Sequence, residues 1–362
     1  MLVTTAGESH GKGLICIVED VPAGVALAQD DFDTQLARRQ AGYGRGGRMA
    51  IERDSVQVMS GIRHGVSTGS PIALFIPNRD FANHAAVMDA FGDPDVTSFE
   101  PLSKPRPNHA DLPGALKLGI TDCRDVIERS SARGTAARVA ASVVARALLE
   151  QLGVHVGSQV ESIGGMEGDD ASPQVRERID AAAAAGESLG GIIRVQATGL
   201  LPGLGEFADR SQALDSLIAA AMLSIPGIKG VEFGDGFALA AMEGSRAADA
   251  ITAQGRSSNH MGGIEGGMST GEPIVLRIVM KPIPSLRTPV ATIDLESGEP
   301  AQAQRIRADV CAVPAAAVVA EAELALVLAS AYQRQFGHAS LADLQANVAA
   351  YATRLSPHWR RD

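Results

Sequence analysis

"GIRHGVSTGSPIAL", residues 61–74, and "GIEGGMSTGEPIVL", residues 263–276, match in register without a gap. Gly61 and Gly263, Ile62 and Ile264, and Gly65 and Gly267 coincide, as does the whole of Ser-Thr-Gly-x-Pro-Ile-x-Leu. Each copy reads as a glycine turn running into a strand, "PIALFI" in one and "PIVLRIVM" in the other. About two hundred residues separate the copies, too far for a solenoid repeat. The pattern points to two related halves, each contributing a sheet.

Outward from these turns, alanine-rich segments carry helical periodicity. "SARGTAARVAASVVARALLEQLG" (131–153) stops at Gly153, and "DRSQALDSLIAAAMLSIPG" (209–227) stops at Pro226-Gly227. "VPAAAVVAEAELALVLASAYQRQFG" (313–337) is apolar nearly all round in its middle, which predicts burial. Strands are expected at "GLICIVED" (13–20), "SVQVMSG" (55–61), "GIIRVQATG" (191–199) and "VEFGDGFALAAM" (231–242). The stretch 164–186 is polar and reads as peripheral. Long buried helices with strands on both sides predict one layered α+β domain over 1–362, with two pseudo-symmetric lobes.

Composition narrows the function. A chain that is 45% hydrophobic and 20% charged has the means for a large core, which excludes global disorder. No uninterrupted apolar run reaches the ~20 residues of a membrane span, and residues 1–20 lack the apolar centre of a signal peptide. Cys16, Cys123 and Cys311, odd in number and far apart, suggest neither a disulfide framework nor a metal knuckle, so a reduced cytoplasm is expected. A net charge of −10 argues against a nucleic-acid partner. Arginine is nevertheless clustered: Arg38, Arg39, Arg45, Arg48 and Arg53 in one glycine-laced stretch, and Arg124, Arg129, Arg133 and Arg138 in another. Its planar fork grips phosphate and carboxylate, so the partner expected is a small anion; a solvated arginine surface is the alternative.

Two histidines stand apart from the rest. His10 lies in "TAGESHGKG" (5–13) among three glycines, and His109 lies in "KPRPNHADLPG" between stiffening prolines, three residues from Arg106. His84, His155, His260 and His338 read as structural or surface residues, and His64 is ambiguous. No His, Cys or Glu spacing fits a metal site, and hydrolase-elbow, P-loop and Rossmann patterns are missing. Ser130 and Ser131 stand just before a helix with Arg129 and Arg133 beside them. That is either an anion site at a helix start or an ordinary serine cap.

"AGESHGKG", "RRQAGYGRGGRMAIERD", "RPNHAD", "ERSSARGTAARVAA", "SIPGIKGVEFGDGF", "SSNHMGGIEGGMSTGEPI", "KPIPS" and "RADVCAVPAAAVVAE" follow one another along nearly the whole chain. Together they closely resemble the chorismate synthase family. The resemblance implies a β-α-β sandwich with helices between two antiparallel sheets, and a homotetramer. It implies a lyase of the shikimate pathway of aromatic amino acid biosynthesis, which eliminates phosphate from 5-enolpyruvylshikimate 3-phosphate to give chorismate. The cofactor implied is reduced FMN (FMNH2), although the reaction has no net redox change.

By motif, the resemblance makes His10 the proton donor to the departing phosphate, with the glycines letting its loop close. His109 would protonate reduced flavin, and Asp309 would help flavin N5 take the C6 proton of the substrate. Ser9, Arg39, Arg45, Arg48, Arg106 and Arg133 would grip the substrate. FMN would lie against Arg129, Ser130, Ser131, Pro226, Gly227, Gly266, the loop Lys281, Pro282, Ile283, Pro284 and Ser285, and Arg307. No nucleotide fingerprint is visible, which leaves the source of reduced flavin open between NADPH used by this chain and a separate flavin reductase. Asn108 stands where the family has glycine, Gly134 where it has glutamate, Leu118 where tyrosine is common, and Ala308 where serine or histidine is usual. These departures leave room for a divergent paralogue acting on a related phosphorylated enolpyruvyl acid. Residues 38–50 and 281–290, rich in cations or glycine, are expected to order only around their ligands.

Overall fold

The computed structural model describes residues 1–45, 53–92, 100–252, 255–288, 290–303 and 309–355. Strands β1 (Leu2–Ala6), β2 (Gly13–Glu19), β3 (Gln57–Ser60) and β4 (Ile72–Pro77) form one antiparallel sheet in the order β1-β2-β4-β3. Strands β5 (His155–Ile163), β6 (Met166–Glu167), β7 (Gly191–Thr198), β8 (Ile228–Phe233) and β9 (Ile274–Met280) form the second, in the order β6-β5-β7-β9-β8. Without the short β6, the second sheet repeats the strand order of the first, position for position.

The quoted echo explains itself here. In each copy a two-residue-arm hairpin, 62–67 or 264–269, precedes the matched strand, β4 or β9. The serine of Ser-Thr-Gly ties that hairpin to the turn after the second strand. Ser67 Oγ donates to the Pro22 carbonyl (2.5 Å) and accepts from the Val25 amide (2.9 Å); Ser269 Oγ donates to the Leu201 carbonyl (2.7 Å) and accepts from the Leu204 amide (2.9 Å). Both hairpin turns also need two successive residues with positive φ: His64 (54°) and Gly65 (74°) in one, Gly266 (57°) and Gly267 (84°) in the other. Turns of that kind match the twist of paired strands and favour glycine.

In chain order the helices of seven or more residues are α1 (Gln29–Gln40), α2 (Asp111–Leu118), α3 (Arg124–Ser130), α4 (Thr135–Glu150), α5 (Pro173–Ala185), α6 (Leu214–Leu223), α7 (Val313–Phe336) and α8 (Leu341–Arg354). α4 packs under the first sheet, α7 under the second, and the two pack on each other. Alternation puts Ile72, Leu74 and Ile76 of β4 and Ile274, Leu276 and Ile278 of β9 onto these helices. Alanines at 136, 137, 140, 141, 317, 320, 322 and 325 are buried and keep the helix layer thin. The expected sandwich, an α+β fold with helices between antiparallel sheets, is the fold observed.

Four local readings change. The strand expected to run to 242 ends at Phe233, and Gly236–Ala241 is a 3₁₀ turn. The polar stretch 164–186 holds α5, which buries Val175, Ile179 and Ala182. Arg38 and Arg39 lie in the last turn of α1 rather than in a glycine loop; residues 46–50 of that stretch are outside the described residues. α7 is long and apolar enough to cross a bilayer, but it buries most of its length between the sheets.

Candidate active site

The loop 7–13 joins β1 to β2 and must double back sharply. Gly7 takes φ +104°, and a Cβ there would meet the Gly13 carbonyl oxygen at 2.3 Å. Asn78, just after β4, donates from Nδ2 to the carbonyls of Glu8 (3.0 Å), Ser9 (3.2 Å) and Gly11 (2.8 Å). Glu128 of α3 anchors the other side. Its carbonyl accepts from the Ser9 amide (3.1 Å), its Oε2 from the His10 amide (2.7 Å), and its Oε1 stands 2.7 Å from His10 Nδ1. Burial alone would raise the Glu128 carboxyl, but these His10 contacts hold it below the usual carboxylate range. Glu128 therefore stays ionised and fixes the orientation of the imidazole.

The same Asn78 leads to the arginines. Its Oδ1 accepts from Arg133 Nε (3.0 Å) and Nη2 (2.9 Å), while Arg133 Nη1 donates to both Asp54 oxygens at 2.6 and 2.7 Å. Arg39 donates from Nε to Thr135 Oγ1 and from Nη2 to the Ala132 carbonyl, both at 2.9 Å. Arg39 Nη1 is buried without a hydrogen-bond partner among the described residues; the nearest carboxylate, Asp54, is 3.8 Å away. Burial pushes the Arg39 guanidinium down to about 10, helped by Arg133 and Arg45 and opposed by Asp54 and Asp309. Arg45 lies 3.0 Å from Asp309, whose segment is fastened by the Val310 amide donating to the Gly44 carbonyl at 2.8 Å. Among the described residues three arginines thus stand with two carboxylates, an arrangement that suits an anion.

Ser131 Oγ donates to Ser9 Oγ (3.3 Å) and accepts from the Arg133 amide (3.2 Å), as a cap for the turn 132–134. Ser130 Oγ is turned to the Val126 carbonyl (2.6 Å), and Arg129 Nη2 reaches the Thr5 carbonyl (2.9 Å). Arg129, Ser130, Ser131 and Pro226 line a cleft of about 600 Å³, together with Gly134, Arg138 and Glu323. That is within the range of small-molecule sites. Gly134 has ordinary helical φ, and a Cβ there would meet only Arg129 Nη1 at 3.8 Å, so the position is open floor.

A second group forms around His109. Its Nδ1 faces Asp111 Oδ1 and lies 3.1 Å from Arg106 Nη2; Arg106 donates from Nε to Asp111 Oδ2 (2.8 Å) and from Nη1 to Ser285 Oγ (2.9 Å). Burial would raise Asp111, yet the contacts from His109 and Arg106 hold it well below the usual range. Asn108, at φ +62°, lies with Lys281, Pro282, Ile283 and Pro284 on a cleft of about 240 Å³. Asparagine is among the few residues other than glycine that tolerate this backbone well. The Lys281 amide donates to the Gly227 carbonyl (2.9 Å), so the Pro226-Gly227 turn, whose Pro226 lines the first cleft, is tied to a residue that lines the second.

The fold therefore brings together Ser9, His10, Arg39, Arg45, Arg133 and Asp309 through shared partners, and Arg106, His109 and Ser285 beside the second cleft. Gly266 sits at its hairpin turn and lines neither cleft. Arg48, Arg307 and Ala308 lie outside the described residues. Sequence reasoning passed over Asp54, Asn78, Asp111 and Glu128, the residues that hold the others in place. Asp54, Asp111 and Glu128 do stand inside the quoted motifs "RRQAGYGRGGRMAIERD", "RPNHAD" and "ERSSARGTAARVAA".

Comparison with known proteins gives one answer. Residues 1–333 match the chorismate synthase family. A chorismate synthase of Exiguobacterium sibiricum is 48% identical over 379 residues, covering 97% of this chain and 98% of that protein. One of Rubrobacter xylanophilus is 48% identical, covering 99% and 98%, and one of Mycobacterium tuberculosis 48%, covering 96% and 95%. A solved structure described as a crystal structure of chorismate synthase superposes with a TM-score of 0.76 at 36% identity, covering 97% of each chain.

Proposed function

The chain belongs to the chorismate synthase family, and on that premise we propose that it eliminates phosphate from 5-enolpyruvylshikimate 3-phosphate to give chorismate. The observation that carries the reading at residue level is the buried Arg39 Nη1, unpartnered among the described residues, in a cluster of three arginines around two carboxylates. The substrate's phosphate and carboxylates are the anions this cluster would grip. Fixed cations in a dry site stabilise developing negative charge without reorganising.

His10 is the acid for the leaving phosphate. Glu128 holds its Nδ1 side, so the proton goes out from the opposite edge of the ring. Asp111 does the same for His109, and Arg106 and Ser285 hold that dyad against the Lys281–Pro284 loop. Asp309, beside Arg45, is the carboxylate that helps move the C6 proton. Reduced FMN, when bound, supplies the transient charge stabilisation that the elimination needs without net redox change. Arg129, Ser130, Ser131 and the Pro226-Gly227 turn would hold it, in the open floor that Gly134 leaves.

Exposed apolar side chains on the sheets, among them Ile15, Val58, Met59, Ile192 and Val279, support a homo-oligomer, a homotetramer by family. Three buried thiols support a cytoplasmic setting. Reduced flavin comes either from NADPH used by this chain or from a separate reductase. An anaerobic assay with dithionite-reduced FMN tests the reading: chorismate and phosphate are expected in equal amounts. Phosphate without chorismate would point to a different elimination and overturn it.

A further inference from the structure

His84 has no part in the reaction above, yet its ring lies 4.3 Å from that of His10, centroid to centroid. One nitrogen of each imidazole and one carboxylate oxygen of Asp80 lie within 4.8 Å of one another, and all three residues are half-buried. Their placement is fixed from both sides. Asn78, which pins the His10 loop, stands two residues before Asp80, and a four-residue helical turn, Phe81–His84, puts His84 one turn beyond Asp80.

The hydrogen bonding of the two rings suits a metal. His10 Nδ1 is 2.7 Å from Glu128 Oε1, and His84 Nδ1 is 3.2 Å from the Asp80 carbonyl oxygen and 3.8 Å from the Asp80 carboxylate. An Nδ1–H held by an oxygen places the lone pair on Nε2, the neutral form in which imidazole ligates. A carboxylate behind a ligating histidine, as Glu128 stands behind His10, is the usual outer partner of such sites and raises the basicity of the ring. Two imidazoles and one carboxylate suit zinc and its neighbours, whereas calcium and magnesium want mostly oxygen. Ligand atoms about 2.1 Å from a tetrahedral ion stand about 3.4 Å apart, so closing the cluster takes roughly an ångström of side-chain rotation.

We propose that His10, Asp80 and His84 form a site for a zinc-class divalent cation, and that its occupation withholds His10 from proton donation. The site stands on the geometry alone; the consequence for catalysis rests on the role proposed above for His10.

The test uses Co²⁺ as a visible probe and Zn²⁺ as its competitor, added to the whole protein without flavin or substrate. One equivalent of Co²⁺ with the absorption of nitrogen and oxygen ligation is expected, displaced by Zn²⁺. His84→Ala and Asp80→Asn should each weaken binding at least about tenfold, the order seen when a metal site loses support. Metal-free His84→Ala should turn over at the wild-type rate and resist Zn²⁺ at concentrations that stop the wild type. Equal cation affinity in the wild type and both variants would overturn the site. Zinc bound through His84 but without effect on turnover would keep the site and instead remove His10 as the acid.

Discussion

In the first half of the molecule the connection from β1 to β2 is the short loop 7–13, which carries Ser9 and His10. In the second half the same connection, from β5 to β7, runs through β6, α5 and a turn and carries none of the proposed chemistry. One position of the repeat shows the same contrast: Phe75 packs beneath Gly13, whereas its counterpart Arg277 faces outward to Glu232 and Glu161. Arg133 pairs with Asp54 almost wholly out of water, while the Arg277 side chain is 42% exposed. The shared frame sets turns and hairpins. What differs is which polar groups the frame buries, and chemistry is proposed where a short loop meets buried, paired charge.

Four measurements would sharpen or break that contrast. The largest effect is expected at His10: His10→Ala should lower turnover by about 10²–10⁴-fold with FMN affinity kept, as for a lost general acid. An unchanged rate would make the anchored loop structural.

Next comes the charge pair. Arg133→Ala strands Asp54 in the interior and should cost about 3–5 kcal/mol in denaturant unfolding. Arg277→Ala, in the other half, should cost less than about 1 kcal/mol because its pairs are open to solvent. Equal losses would erase the distinction between the halves.

A smaller effect concerns pH. Glu323 on α7, beside Arg138, is pushed by burial from 4.5 to about 7. A carboxyl raised in the folded state favours folding while it is protonated, so its contribution is full below about pH 4.5 and fades as pH rises through about 7. The wild type should lose at most about 3 kcal/mol between pH 5 and 8 from this group, and Glu323→Gln should remove that slope. Asp111 runs the opposite way: its lowered carboxyl stabilises above the ordinary carboxylate range and is lost only in acid. A slope unchanged by Glu323→Gln would place the titrating group elsewhere.

The smallest effect is at the hairpin turns. His64 holds φ +54° where the second half has Gly266, so His64→Gly should raise stability by up to about 1 kcal/mol in thermal unfolding. A destabilised variant would mean that the His64 side chain has a role of its own.

Much of this was legible in the sequence, for a physical reason. The echo is written in turn residues, Gly, Ser and Pro, whose backbone demands are local, so the paired sheets could be inferred from it. The long alanine helices were equally plain. α1 was not, because "QDDFDTQLARRQ" buries only Phe32 and Leu36 among its apolar side chains. The cationic half of the site was readable, since clustered arginine is unusual. Its holders were not: Glu128 meets His10 across 118 residues, and Asp54 meets Arg133 across 79. A lone carboxylate or asparagine carries no mark of so distant a partner. The sequence suggested a loop that closes on its ligand; the hydrogen bonds from Asn78 and to Glu128 that hold this loop have no mark in the sequence.

Amide hydrogen exchange of Ser9 and His10 in the empty protein tests this preformed anchor most directly. Both amides donate to Glu128, at 3.1 and 2.7 Å. The account predicts slow exchange without any ligand and little further slowing when FMN and substrate bind. Fast exchange in the empty protein that slows only in the ternary complex would contradict it.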